Sequence, residues 1–488
     1  MRFIWSRPAP ILSASLVIAT LLWVTACGDS GGDDSATGGT GASGGSSGSG
    51  GSGSGGTSGS GGLGGAGGSA GATGGAAGST GGSAGLGGSG GTGGTPPLPG
   101  SLVTTKYGCA CDGTTDDSKC LQAALDDAPN WDNRTLEWPA GKTCKAIGLR
   151  WYAPTGTSSA RYVLRGHGST LKAPDGAAVE FGDWLLRVEA GQWLTLDDLD
   201  FDGNRSTRTP KELPAHNLLI MSGRDIEINA LDSVDAVVDG LYIASSEGPK
   251  ESSIPARITV RDPVVRRAWR NNISVINCDT CTILGDGNGD KSSCQLTDAN
   301  GTDPEAGIDF EPNAGNFQPA IKNSRIEGCY IARNEGACVM LHSQGGQIGN
   351  TVRNNTLEDC RLVRATCGAA IHMGQKDALV EKNVIKNFTL KPGCRSIIDF
   401  LATGASVDTA SVIRDNTFEN IQGVPGNGHL LFIHPANSGG HAFKNNTLTN
   451  IGVGPGGDWC TAGATAKPND ISGNQVDGKL QQPNPGCP

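Results

Sequence analysis

The chain has 488 residues, with 38 Lys+Arg against 48 Asp+Glu and a formal net charge of −10. That balance, with no Lys/Arg-rich run, argues against a nucleic-acid partner. It gives no general attraction for polyanions either, so an acidic sugar would need a local basic patch.

Residues 1–26 carry Arg2 and Arg7, then an apolar run from Ile11 to Val24, and end Val24-Thr25-Ala26 before Cys27. A basic start, a short apolar core and small residues at the end describe an export signal. The apolar core, about 14 residues, falls short of the roughly 20 needed to span a bilayer. The cysteine after Val-Thr-Ala resembles the lipobox of bacterial lipoproteins. That resemblance implies cleavage before Cys27, lipidation there, and an exported protein anchored to a bacterial membrane through its lipid alone. Residues 27–100 read as a tether. Gly28 to Thr95 is almost entirely Gly, Ser, Ala and Thr, too poor in apolar surface to offset ordering entropy. Its reach is on the order of 45 Å.

Residues 101–488 remain for one folded domain, expected as a monomer. Of the 15 cysteines, setting Cys27 aside leaves an even number, which in an exported chain favours disulfides of undetermined pairing. Cys278-Asp-Thr-Cys281 has no matching pair at zinc-site spacing, so no metal is assigned to it. Tyr107 to Leu149 reads as an end cap. Leu121, Ala124, Leu125 and Ala128 fall on one face of a helix expected over 117–128, with Asp116 or Asp117 as its N-cap.

The stretch Asp112-Gly-Thr-Thr-Asp-Asp-Ser-Lys-Cys-Leu-Gln-Ala-Ala-Leu125, followed by Trp138-Pro-Ala-Gly141, is similar to the N-terminal cap of the pectate-lyase superfamily. Polysaccharide lyases, polygalacturonases, alginate epimerases and phage tailspikes belong there. Gly301-Thr-Asp-Pro-Glu-Ala-Gly-Ile-Asp-Phe-Glu-Pro-Asn313 resembles a motif of bacterial β-helix repeat proteins. The resemblance implies an all-β fold: a single-stranded right-handed parallel β-helix with an N-terminal capping α-helix. It says little of reaction, because one solenoid hosts many chemistries. The ordered polygalacturonase pattern is missing. Gly166-His167-Gly168 comes too early, and Asp197-Asp198 sits in a strand-like run, so neither His167 nor those acids receives a catalytic role.

Six segments place small residues before an apolar pair: Gly240-Leu-Tyr242, Asn272-Ile-Ser274, Gly307-Ile-Asp309, Cys338-Val-Met340, Ala370-Ile-His372 and Ile397-Ile-Asp399. Residues two apart on a strand share a face. Stacking these segments turns Leu241, Ile273, Ile308, Val339, Ile371 and Ile398 inward. It sets Tyr242, Ser274, Asp309, Met340, His372 and Asp399 in one outward column. Two residues later come Ala244, Ile276, Glu311, His342, Gly374 and Leu401, with His434 continuing. Four residues before lie Val238, Arg270, Glu305, Gly336, Gly368 and Arg395. The small residues read as space for a ligand.

A repeat of the form Val352-Arg-Asn-Asn355-Thr-Leu recurs around Asn383, Asn416, Asn446 and Asn474, at spacings of 28, 33, 30 and 28 residues. Such periods mark stacked repeats that bury together what one rung cannot. An Asn at each corner would form a ladder, and Asn tolerates the left-handed backbone of a sharp turn.

The columns nominate Asp309, Glu311, His342 and His372 for catalysis, and Arg270, Tyr242, Arg395 and Asp399 for substrate. Asp309 and Glu311 would serve as acid and base in glycosidic hydrolysis. For β-elimination from a uronic acid, Arg270 or Arg395 would neutralise the sugar carboxylate and a histidine would take the proton. C5 epimerisation needs the same parts. Calcium held by Asp309, Glu311 and Asp399 is the alternative charge neutraliser. The expected function is therefore a surface-tethered enzyme acting on an extracellular polysaccharide, with an acidic one favoured by the two arginines. The alternative is a non-catalytic glycan-binding or adhesive solenoid, served by Tyr242 and Trp269.

Overall fold

The computed structural model describes residues 99–480 apart from 155–160, 212, 246–252, 287–292, 313–320, 343–347, 362–367, 376, 391–395, 401–409, 424–427, 434–438, 453–459 and 463–467. Short strands alternate with turns, and each strand pairs with the equivalent strand of the next coil. Every strand pairing among the described residues is parallel except that of Gln475–Val476 with Lys479–Leu480. The fold is the expected right-handed parallel β-helix.

One wall is an eleven-stranded sheet running from Leu149–Tyr152 to Cys460–Ala462. Its inward residues alternate as a pleated strand requires. Leu218, Leu241, Ile273, Ile308, Val339, Ile371, Ile398 and Leu431 stack in register, each essentially buried. The other strands meet at a corner. Thr351–Arg353 and Thr356–Glu358 flank Asn355, and each finds its partner one coil further on.

The asparagine ladder forms at that corner. Asn355, Asn383, Asn416 and Asn446 each donate their backbone N–H and side-chain Nδ2 to the Oδ1 of the next asparagine, at 2.9–3.0 Å. Nδ2 of each also reaches a backbone carbonyl of the preceding coil, as in Asn383 Nδ2 to Val352 O at 3.0 Å. All five asparagines are buried. The left-handed residue is not the ladder asparagine but the one before it: Asn354, Lys382, Asp415, Asn445 and Gly473. Burial and reciprocal hydrogen bonding, rather than backbone tolerance, therefore call for Asn in the ladder.

The cap helix spans Ser118–Asp126 and buries Leu121, Ala124 and Leu125. Asp117 occupies the N-cap position, but its carboxylate is turned away. It accepts from Ala110 N at 2.7 Å and Cys111 N at 3.0 Å. Asp116 takes the Ser118 N–H at 2.9 Å instead.

Among the described residues, five disulfides link Cys109–Cys120, Cys111–Cys144, Cys278–Cys281, Cys294–Cys329 and Cys338–Cys360. Cys278 and Cys281 are thus bonded to each other. Disulfides form and persist in oxidising compartments, which suits an exported domain. Among the described residues no helix is long and apolar enough to cross a membrane. Cys27 lies outside the described residues.

Candidate functional site

The outward side of the eleven-stranded sheet carries the column read from the sequence. Tyr242 pairs with Ser274, Ser274 with Asp309, Asp309 with Met340, Met340 with His372, and His372 with Asp399. The neighbouring column follows the same ladder: Glu311 N donates to Val275 O, His342 N to Phe310 O and Gly374 N to Leu341 O. Arg395, Leu401 and His434 lie outside the described residues.

The column is not a solvated surface. Ser274, Asp309, Met340, His372 and Asp399 are all buried although they point away from the core. Tyr242, Arg270, Glu311 and His342 are partly exposed. Glu311 and His342 are therefore more accessible than Asp309 and His372, which any ligand on this face would reach last. The glycines do not supply space for that ligand. A Cβ on Gly336 would lie 1.7 Å from Pro304 O, and one on Gly307 would lie 2.4 Å from Ile331 Cγ2. Their smallness serves packing between coils.

Asp309 is held by its surroundings in an unusual state. Burial pushes its carboxyl well above the ordinary carboxylate range, and the nearby Glu311 pushes it further. The Arg270 guanidinium opposes this without cancelling it. Two carboxyl groups that act on each other in this way resist ionising together.

The two histidines adjoin it. The rings of His342 and His372 lie 5.4 Å apart, tilted by 43°. Burial, helped by His342, lowers His372 to about 3, so its imidazole is neutral near pH 7. Nδ1 of His342 is buried without a hydrogen-bond partner among the described residues.

Arg270 is already committed. Its Nε donates to Asp239 Oδ1 at 2.9 Å, and its Nη2 donates to Oδ2 of the same carboxylate. Asp239 is completely buried. Burial would raise it, but Arg270 and then His216 outweigh that and hold it below the usual range. His216 Nδ1 lies 3.2 Å from Asp239 Oδ2, and its ring stacks on Tyr242 with centroids 4.1 Å apart. Tyr242 thus has a partner on one face. Arg270 is thus satisfied internally and lends no support of its own to an acidic sugar. The three-carboxylate calcium site does not assemble either. Asp309 and Asp399 are three rungs apart, roughly 14 Å along the stack, while calcium takes oxygens at about 2.3–2.6 Å.

Asp239, His216 and Asn271 escaped the sequence reading. Asp239 and Asn271 fall just before their strands, where alternation no longer says which way a side chain points. The signal available was the polar run itself, Asp239 and Asn271-Asn272 ahead of apolar strands.

No known protein family matches the chain, and no curated protein does. Among solved structures, the Agl-KA catalytic domain superposes with a TM-score of 0.47 at 14% identity, over 79% of this chain and 69% of that one. PfbA, a surface adhesin of Streptococcus pneumoniae, gives 0.46 at 13%, over 77% and 84%. The A-module of the mannuronan C-5 epimerase AlgE6 of Azotobacter vinelandii gives 0.38 at 16%, over 77% and 99%. These are similarities of coil alone.

Proposed function

We propose that this protein is a glycan-acting enzyme that hydrolyses an extracellular polysaccharide at the outward face of the eleven-stranded sheet. The carrying observation is the buried Asp309 carboxyl, raised well above the ordinary carboxylate range by burial and by the partly exposed Glu311 beside it on the same face. A buried acid raised in this way suits protonation of a glycosidic oxygen. In this reading the pair delivers its one proton through Glu311 to the leaving oxygen as the anomeric C–O bond breaks. Water attacks the anomeric carbon and gives its proton to the imidazole of His342. That proton returns to the pair, which closes the cycle. His372 and Asp399 orient His342 and the sugar, and Tyr242 and Arg270 border the binding surface. Hydrolysis suits the site better than elimination, because Arg270 is engaged by Asp239 and so is not available to neutralise a uronate. Export by the signal segment and lipidation of Cys27 would leave the enzyme lipid-anchored on the membrane exterior through the Gly/Ser-rich tether, within reach of a polymer.

The test is incubation of the purified protein with a panel of neutral and acidic polysaccharides. Release of reducing ends without ultraviolet absorbance from an unsaturated product supports hydrolysis. Such absorbance would transfer the site to elimination. Binding with no turnover on any substrate would leave a glycan-binding or adhesive solenoid.

A further inference from the structure

We infer that Asn271 is a positioning residue that decides which oxygen of the Asp309 carboxyl can carry a proton. The inference deepens the proposed function and rests on its acid pair. Asn271 is buried, and each of its polar atoms has a fixed partner. Its backbone N–H donates to Asp239 Oδ1 at 3.0 Å. Its Oδ1 accepts the backbone N–H of Ala306 at 2.8 Å. A backbone N–H can only donate, so this bond settles the sense of the amide. Nδ2 must therefore face the other way, where it donates to Asp309 Oδ2 at 2.9 Å and Ser274 Oγ at 3.0 Å.

A donor aimed at Oδ2 makes that oxygen an acceptor, and a proton there would oppose the amide hydrogen. The proton falls to Oδ1, which is buried and receives no other donor. Asp239 anchors the arrangement, since it grips Arg270 on one side and the Asn271 backbone on the other. The charged or titratable groups around Asp309 are Glu311 beyond its own strand, Asp239, Tyr242 and Arg270 from preceding rungs, and His342 and His372 from following ones.

Asn271→Asp keeps the acceptor for Ala306 but replaces the donor with a second carboxylate. Asn271→Ser removes the donor with less bulk and no charge, and serves if the first variant folds poorly. Ser274→Ala is the control, because it deletes the other Nδ2 acceptor and leaves the bond to Asp309. Infrared difference spectra of the full chain, titrated from acid to alkaline pH, follow the carbonyl stretch of a protonated carboxyl, assigned by its loss in Asp309→Asn. The band should persist at neutral pH in the native protein and in Ser274→Ala. Both Asn271 variants should shift its frequency and move its titration at least tenfold in proton concentration toward alkaline pH. An unmoved titration in a folded Asn271 variant overturns the inference, as does absence of the band at neutral pH in the native protein. Because this readout needs no substrate, a moved band with no glycan cleaved upholds the positioning role while the enzyme reading falls.

Discussion

Two columns of buried polar side chains run along this coil, and they are built on opposite terms. At the corner, Asn355 to Asn474 repeat one residue, and each fills the hydrogen-bonding needs of the next. On the outward face, Ser274, Asp309, Met340, His372 and Asp399 follow one another with no two neighbours alike. There Asp309 Oδ1 and His342 Nδ1 are buried without an ordinary donor or acceptor. A buried polar group left that way costs free energy that a solenoid has no structural reason to spend. The corner ladder holds coils together; in the proposed reading, the face stores groups in states that chemistry can use.

If that contrast is right, substitutions in the two columns should separate stability from activity. The largest effect belongs to the face. Glu311→Gln and Asp309→Asn should each lower reducing-end release by about 100-fold or more, with an unchanged circular dichroism spectrum and melting temperature no lower than native. A matching loss of structure would make Asp309 and Glu311 part of the scaffold instead.

The corner should behave in reverse. Asn383→Ala or Asn416→Ala strands buried partners in two coils and should destabilise by about 1–3 kcal/mol in denaturant titrations. Turnover per folded molecule should stay native. Removal of Cys294–Cys329 by paired serine substitution is a scaffold control, expected to cost roughly 2–4 kcal/mol without moving the pH profile.

Acid sharpens the comparison through two buried histidines, His372 on the face and His441 just ahead of the corner strand Ala442–Lys444. Burial brings His372 to about 3 and His441 to about 4, each below the ordinary imidazole value of 6.5. The unfolded chain therefore binds protons first as pH falls. Stability should decline from pH 6.5 downward, by up to about 1.4 kcal/mol per pH unit for each such group. The decline should end near pH 3 for His372. His372→Asn should flatten that slope in denaturant titrations across pH, whereas Asn383→Ala should leave it intact. The smallest effect is expected at the exposed column of Asn387, Asn420 and Asn450. Asn420→Gly, which keeps the left-handed backbone available, should change stability by no more than about 0.5 kcal/mol.

The coil was legible because parallel stacking turns a repeat into a register. Knowing that Asp309 ends Gly-Ile-Asp and His372 ends Ala-Ile-His was enough to put both in one outward column. What alternation could not give was burial. Outward on a strand does not mean exposed, and Asp309 and His372 lie under cover that the repeat does not encode. Nor could it show that Arg270 would be consumed by Asp239, because ion pairs between rungs depend on side-chain reach rather than on period. Gly307 and Gly336 were misread for a related reason: a small residue looks the same in sequence whether it admits a ligand or a neighbouring backbone.

The central claim is that the Asp309–Glu311 pair performs chemistry on a glycan. The most direct measurement is reducing-end release from the polysaccharide panel by the native full chain, by Glu311→Gln and by Asn383→Ala, each corrected for folded protein. The account predicts turnover in the native chain and in Asn383→Ala, and its loss in Glu311→Gln with binding retained. Turnover that survives Glu311→Gln would contradict it.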